Sequence, residues 1–346
     1  MDKFVIASTR KSAGKTSLIV GISKALNKKV GYIKPLGDRL VYSKKRLSDY
    51  DAELMASLFG MEDAPERMNI GFDHSKLRYM YDEKSMKGKL VEIAEEAGKG
   101  KDVLFVEGGP SFAYGSSVYL DPISIAKSIG GKFVVVVGGE ENTSLDHLSF
   151  FKRNVNLNGV DFAGVIMNKV HNVEEFQRVH LPKITAAGID VLGVIPYSEQ
   201  MTHLSLAHLA DQLFAKVMTG ETNLNKEIKT VFIGAMSASA AFSHPLFKKE
   251  GKLIITSGDR SDMILASIET RAECVVLTNN IVPPSNIISK AIEHGVTLLL
   301  VPYDTYETAK KIELIEPLLA KGDSERVNAL EKLVKENIDL KKLFGL

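Results

Sequence analysis

A chain of 346 residues with 45% apolar and 25% charged side chains can bury more than one core, and two domains are expected. A formal net charge of +1 excludes a broad electrostatic attraction for nucleic acid or an anionic membrane, so recognition must be local. Cys274 is the single cysteine, which excludes an intramolecular disulfide and a multi-cysteine metal site and fits a reducing, cytoplasmic setting. The start "MDKFVIAS" lacks the long apolar segment of a signal peptide, and no apolar run approaches the ~20 residues of a membrane span.

In chain order, "KFVIAS", "KVGYIKP", "DVLFVEGG", "KFVVVVGG", "FAGVIMNKV" and "DVLGVIP" are apolar, β-rich runs separated by helical patterns. Such runs predict an α/β fold, a parallel sheet with helices on both faces. This block spans 1–218, and the polar, turn-rich segment 219–229 reads as a linker. "TVFIGAM", "KLIITSG", "ECVVLTNN" and "VTLLLVP" then predict a smaller α/β domain over 230–312. Residues 313–346 read as a helical tail capped by Asp323 or Ser324.

The first strand runs into Gly14-Lys15-Thr16 and then a helical pattern. A Gly-Lys-Thr triplet at a strand-to-helix junction can hold a nucleoside triphosphate. Backbone N–H groups of Ser12, Ala13, Gly14, Lys15, Thr16 and Ser17 would face phosphates, Lys15 the β- and γ-phosphates, and Thr16 a Mg²⁺ ion. The usual leading glycine of such a loop is replaced by Ser8 or Thr9. Glu107 ends a very apolar strand, where an acid is costly unless paired or on a metal. Asn168-Lys169 is followed by His171 where a guanine-reading acid would stand, which favours ATP. His203 and His208 are five apart, off the face that helical zinc ligands share, and Cys274 reads as core.

The loop Ser8-x5-Gly14-Lys15-Thr16 with a second strand ending in Lys34-Pro35 resembles the dethiobiotin synthetase family. The resemblance implies that Lys34 joins Lys15 at the γ-phosphate as a catalytic pair. It also implies that Asp51 and Glu107 join Thr16 on Mg²⁺, and that Asn168 and the loop at Pro196 flank adenine. Asp49 and Ser48 compete with Asp51 as simple helix caps. Arg10 lies at the offset where the related partitioning ATPases carry a lysine that acts across a dimer, and a homodimer is expected. The chain departs from that family at Gly37-Asp38-Arg39, where an acid would repel a forming carbamate.

In the second domain, Asp259-Arg260 between a strand and a helix resembles the DRTGG domain, with Ser261-Asp262-Met263 in place of the trailing Thr-Gly-Gly. Arg260 there could grip an anion or pair with Asp259. The fusion resembles the N-terminal region of certain bacterial phosphate acetyltransferases and stand-alone archaeal proteins. The implied function is an ATP- and Mg²⁺-binding regulatory or sensory ATPase with an unidentified small-molecule ligand. The alternatives are a ligase that activates a carboxylate or carbamate for an amine, and a nucleotide-stabilised dimerisation scaffold.

Overall fold

The computed structural model describes residues 1–43, 46–61, 64–139 and 141–345. The chain divides into Met1–Ser198 with Leu319–Leu346, and Glu199–Leu318.

In the first unit, β1 (Asp2–Ser8), β2 (Val30–Ile33), the hairpin strands β3 (Leu40–Ser43) and β4 (Arg46–Asp49), β5 (Val103–Glu107), β6 (Lys132–Gly138), β7 (Phe162–Val170) and β8 (Val191–Pro196) follow one another. Six of them form a parallel sheet in the order β2-β5-β1-β6-β7-β8. β1, β5 and β6 lie inside it with Phe4, Val5, Phe105, Val106, Val134 and Val135 fully buried, as runs apolar on both faces require. The chain leaves β1 for one side and later returns to the other. The carboxyl ends of β1 and β5 therefore border the switch point at which open α/β sheets take ligands.

Helix α1 (Lys15–Leu26) follows β1, and α2 (Tyr50–Phe59) follows the hairpin. The C-terminal helix Ser324–Asn337 packs on α1 at Gly21, where a Cβ would stand 2.7 Å from Val334 and 2.9 Å from the Leu330 carbonyl. Any larger side chain there would push these helices apart. Asp323 caps that helix by accepting from Arg326 N. The returning chain is also fixed to α2, since the Tyr50 hydroxyl donates to Leu319 O at 2.8 Å and Lys321 pairs with Glu53 at 2.7 Å.

The second unit contains β9 (Leu204–Ser205), β10 (Lys216–Thr219), β11 (Glu227–Ile228), β12 (Thr230–Ile233), β13 (Lys252–Ser257), β14 (Cys274–Thr278) and β15 (Thr297–Leu300). Its sheet runs β10-β15-β14-β13-β12, with only β10 antiparallel, and has a core on each face. Cys274 is buried in one of them, and burial raises its thiol pKa.

The boundaries differ from the sequence expectation. The second unit begins at Glu199 instead of following a linker, and the chain from Leu319 onward belongs to the first unit. Segment 219–229 is built into the second unit. Thr219 Oγ1 donates to Val296 O at 2.8 Å and accepts from Leu298 N at 3.0 Å, while β11 pairs with β9. Its polar side chains complete strand edges, which composition alone does not distinguish from a solvated loop. Among the described residues, no helix is long and apolar enough to cross a membrane.

Candidate functional site

Between Ser8 and Lys15 the chain makes a loop in which Ser12 has φ 58° and Gly14 φ 94°. These left-handed residues turn the loop over the start of α1, whose first N–H groups lack intrahelical partners and whose N-cap, Gly14, offers no side chain. A Cβ on Gly14 would lie 2.3 Å from Asn168 Nδ2, so glycine is required by contact as well as by φ. The loop is clamped from the end of β7, where Asn168 Nδ2 donates to Ala13 O at 2.8 Å and Lys169 Nζ to Ser12 O at 2.9 Å. The hydroxyl oxygens of Thr9 and Ser12 are buried without a hydrogen-bond partner.

Lys15 is buried, and its ammonium donates to Ser8 Oγ at 3.0 Å. Burial lowers its pKa against the pull of Glu107. On the next residue, the Thr16 hydroxyl donates to Glu107 Oε1 at 3.0 Å. Ser17 stands on the same first turn. Glu107 is 3% exposed and holds Tyr32 through its other oxygen, accepting the phenol at 2.9 Å. Burial, reinforced by the charge of Asp51, pushes the Glu107 carboxyl up to about 7 despite Lys34, Lys15 and Arg39.

The hairpin β3–β4 brings a second cluster beside this one. Asp49 ends β4 and caps α2 by accepting from Asp51 N at 2.9 Å, and its other oxygen accepts from Asp38 N and Arg39 N at 3.0 Å each. The Lys34 ammonium, from the end of β2, donates to Asp38 and, at 2.6 Å, to Asp51 Oδ2, and lies 3.3 Å from Asp49 Oδ1. Arg39 Nη1 reaches both oxygens of Asp51, at 3.1 and 3.2 Å. Burial pushes the Asp51 carboxyl up, but Lys34 and Arg39 outweigh it and hold it below the usual carboxylate range. Burial raises Asp49 against Lys34. Lys34, which burial alone would lower, is raised by Asp51, Glu107, Asp49 and Asp38.

The expected site residues thus fall in three sets. Lys15, Thr16 and Glu107 meet at the strand–loop–helix junction. Lys34 and Asp51 meet each other, with the Lys34 ammonium turned to carboxylates. Asn168 is held between Ala13 O and Lys169 N, which donates to its Oδ1 at 3.0 Å. Pro196 pairs with Val170, and the Tyr197 ring stacks on His171 at 4.2 Å, forming an aromatic wall beside those strand ends. The Arg10 guanidinium lies against Gly139. Sequence reasoning did not single out Tyr32, Lys169 or Tyr197. The signal for Tyr32 was a hydroxyl inside an otherwise apolar strand; for Lys169 it was the residue paired with Asn168.

In the second unit, Arg260 forks onto Asp262, at 2.9 and 3.0 Å, and donates to Met236 O at 2.9 Å. The acid partner is Asp262 instead of Asp259, because the first helical turn brings Asp262 beside the guanidinium. The cap position of that helix falls on Arg260. His203 meets Glu227 at 3.1 Å and His208 meets Glu316 O at 3.1 Å.

Comparison with known proteins matches an AAA domain (AAA_26) over residues 2–205 and a DRTGG domain over residues 208–315. The phosphate acetyltransferase of Pseudomonas putida is 26% identical over 98% of this chain and 51% of its own length. That of Synechocystis is 27% identical over 70% of this chain and 37% of its own. The chain spans about half the length of the first of these relatives. Among solved structures, cobyrinic acid a,c-diamide synthase from Mycobacterium smegmatis aligns over 58% of this chain and 88% of that chain, at 15% identity and TM-score 0.33. The CBS and DRTGG domains of the regulatory region of Clostridium perfringens pyrophosphatase, complexed with diadenosine tetraphosphate, align over 49% and 84%, at 17% identity and TM-score 0.29. With its AAA domain covering more than half of the residues, the chain belongs to the dethiobiotin synthetase-like P-loop family AAA_26, and it carries a DRTGG domain behind that unit.

Proposed function

We propose that this chain is an ATP- and Mg²⁺-binding regulatory ATPase whose turnover responds to a small molecule through the DRTGG unit. The observation that carries the reading is the Thr16 hydroxyl on Glu107 at the P-loop junction, one residue after the buried Lys15. A helix start offers N–H groups to phosphates, and a hydroxyl and a strand-end acid offer oxygens to the Mg²⁺ that rides on them. The partnerless hydroxyls of Thr9 and Ser12 fit the same ligand, since a phosphate oxygen can accept from them.

Bound Mg²⁺ neutralises charge on the phosphates. Thr16 and Glu107 would hold it, and Asp51, bonded here to Lys34 and Arg39, would join them only by giving up those cations. Lys15 would exchange its Ser8 contact for phosphate oxygens, a charge-assisted gain over a neutral acceptor. Asn168 and Lys169 keep the loop in its left-handed turn. His171, with the Tyr197 ring stacked on it, occupies the position where an acid would be needed to read guanine, which supports ATP over GTP. We propose a homodimer as the working assembly and the cytoplasm as its location.

The test is calorimetric titration of the full chain with ATP and GTP, with and without Mg²⁺, alongside ADP production over a panel of small carboxylates and amines. Tighter ATP binding that needs Mg²⁺ is expected. Equal or tighter GTP binding, or no nucleotide binding, would overturn the reading.

A further inference from the structure

We propose that Asp38 sets the acceptor class of this site: it completes the enclosure of the Lys34 ammonium, so that a carboxylate or carbamate co-substrate finds no free cation and water takes the phosphoryl group. The inference rests on the nucleotide reading above, and it goes beyond that reading in naming what the site refuses.

An anion that attacks a nucleoside triphosphate must approach another anion, and it does so only where a cation lies between them. Among the described residues, the first unit offers two buried ammonium groups near the loop, Lys15 and Lys34. Lys15 belongs to the loop itself, and Lys34 lies close enough to depress it. Lys34 would be the cation left for an acceptor. An ammonium has three N–H donors, and three carboxyls surround this one, Asp38, Asp51 and Asp49, with Lys34 only 2% exposed. Two donors are used in hydrogen bonds to Asp38 and Asp51, and the third carboxyl, Asp49, stands 3.3 Å from the ammonium. One carboxyl oxygen from each of the three acids lies within 4.8 Å of the others, and two cations, Lys34 and Arg39, face them, one fewer than the acids.

The three acids are not equivalent. Asp49 is consumed by capping α2 and by the amides of Asp38 and Arg39, and Asp51 is shared with Arg39. Asp38 holds Lys34 from the solvent side, with its side chain 18% exposed against 2% for Asp51 and none for Asp49. An incoming anion meets Asp38 first, and Asp38 can be neutralised without dismantling the hairpin or the α2 cap. With water as acceptor, its oxygen bonds to the γ-phosphorus and the bond to the β,γ-bridging oxygen breaks with its electron pair on ADP. A water proton passes to solvent, leaving ADP and inorganic phosphate.

The experiment uses the full chain, wild type, Asp38→Asn and Asp38→Ser, with Asp38→Asn/Lys34→Gln as the control. Acetate and bicarbonate are titrated against nucleotide-free protein by calorimetry and thermal midpoint, and ADP production is followed with and without them. Wild type should ignore both anions. Each Asp38 variant should gain affinity of at least about fivefold, the effect of removing one unit charge at contact even with full aqueous screening. The gain should vanish in the double variant. Wild-type binding as strong as the variants', no gain in either Asp38 variant, or a gain that survives Lys34→Gln would overturn the proposal. A separate ATP titration keeps the two readings apart: absent ATP binding with the anion gain intact sinks the nucleotide reading and leaves Asp38 as the residue that closes Lys34.

Discussion

Both units end parallel strands in loops that carry charge, yet they hold it differently. In the first unit Lys15, Lys34, Asp51 and Glu107 are all less than a tenth exposed. In the second, the corresponding ion pair, Arg260–Asp262, has side chains 34% and 51% exposed. Several kcal/mol of desolvation attend each buried ion, whereas an exposed pair is nearly neutral in stability. A chain that keeps buried charge at strand ends bordering a switch point gives up stability for a site. The second unit shows what an ordinary strand-end pair looks like on the same kind of sheet.

The largest expected effect breaks that contrast by removing its central cation. Lys34→Met leaves Asp38, Asp49 and Asp51 facing one another with Arg39 alone, and should destabilise the first unit by ~3–5 kcal/mol in urea titration. A cost below ~1 kcal/mol would mean that the enclosure is as loosely held as the surface pair.

Lys15→Ala tests function where Lys34→Met tests stability. Truncating Lys15 removes charge-assisted contacts to phosphate worth ~1.5–3 kcal/mol each, so ATP affinity should fall by roughly that amount in calorimetry. Unchanged affinity would place the ammonium outside the phosphate site.

Glu107 supplies a pH signature. Its carboxyl, pushed up to about 7 by burial first, binds a proton more tightly in the folded chain than unfolded. Its share of stability is therefore full below the unfolded carboxylate range and is lost as pH rises through about 7. Over that window wild type should lose up to ~1.4 kcal/mol per pH unit relative to Glu107→Gln, in metal-free urea titrations. The same variant should lose its Mg²⁺ requirement for ATP binding. An unchanged metal requirement would make Glu107 structural, a partner for Thr16 and Tyr32 only.

Much of this was legible from the chain. The runs around Phe4, Phe105 and Val134 are apolar on both faces because parallel strands between helix layers have no wet side. Gly14-Lys15-Thr16 and Glu107 were legible because each sits where a strand must end. The Lys34 enclosure was not, because it depends on the β3–β4 hairpin folding Asp38 and Arg39 back onto Asp49, a register that no local pattern specifies. The unit boundary at Glu199 was hidden too. β8 and β9 are separated by only seven residues, 197–203, while the longer polar segment, 219–229, begins at the end of β10 and contains β11.

Arg260→Ala carries the smallest expected effect and sharpens the comparison from the exposed side. The guanidinium forks onto Asp262 near water and donates once to Met236 O, so its removal should cost only ~0–1 kcal/mol in the stability of the full chain. If the second unit is a sensor, the variant should be far from neutral in coupling. A ligand of that unit shifts the nucleotide site only through different affinity for its ATP-bound and ATP-free states, and ATP must then shift the ligand by the same factor, typically ~5–150-fold. With acetyl phosphate and an acyl-CoA as probes, wild type should show reciprocal shifts in calorimetry, and Arg260→Ala should lose them while binding ATP alone as wild type does. Identical ATP affinity and turnover for both proteins under every addition would leave Arg260–Asp262 a surface pair and the second unit without a sensing role at that position.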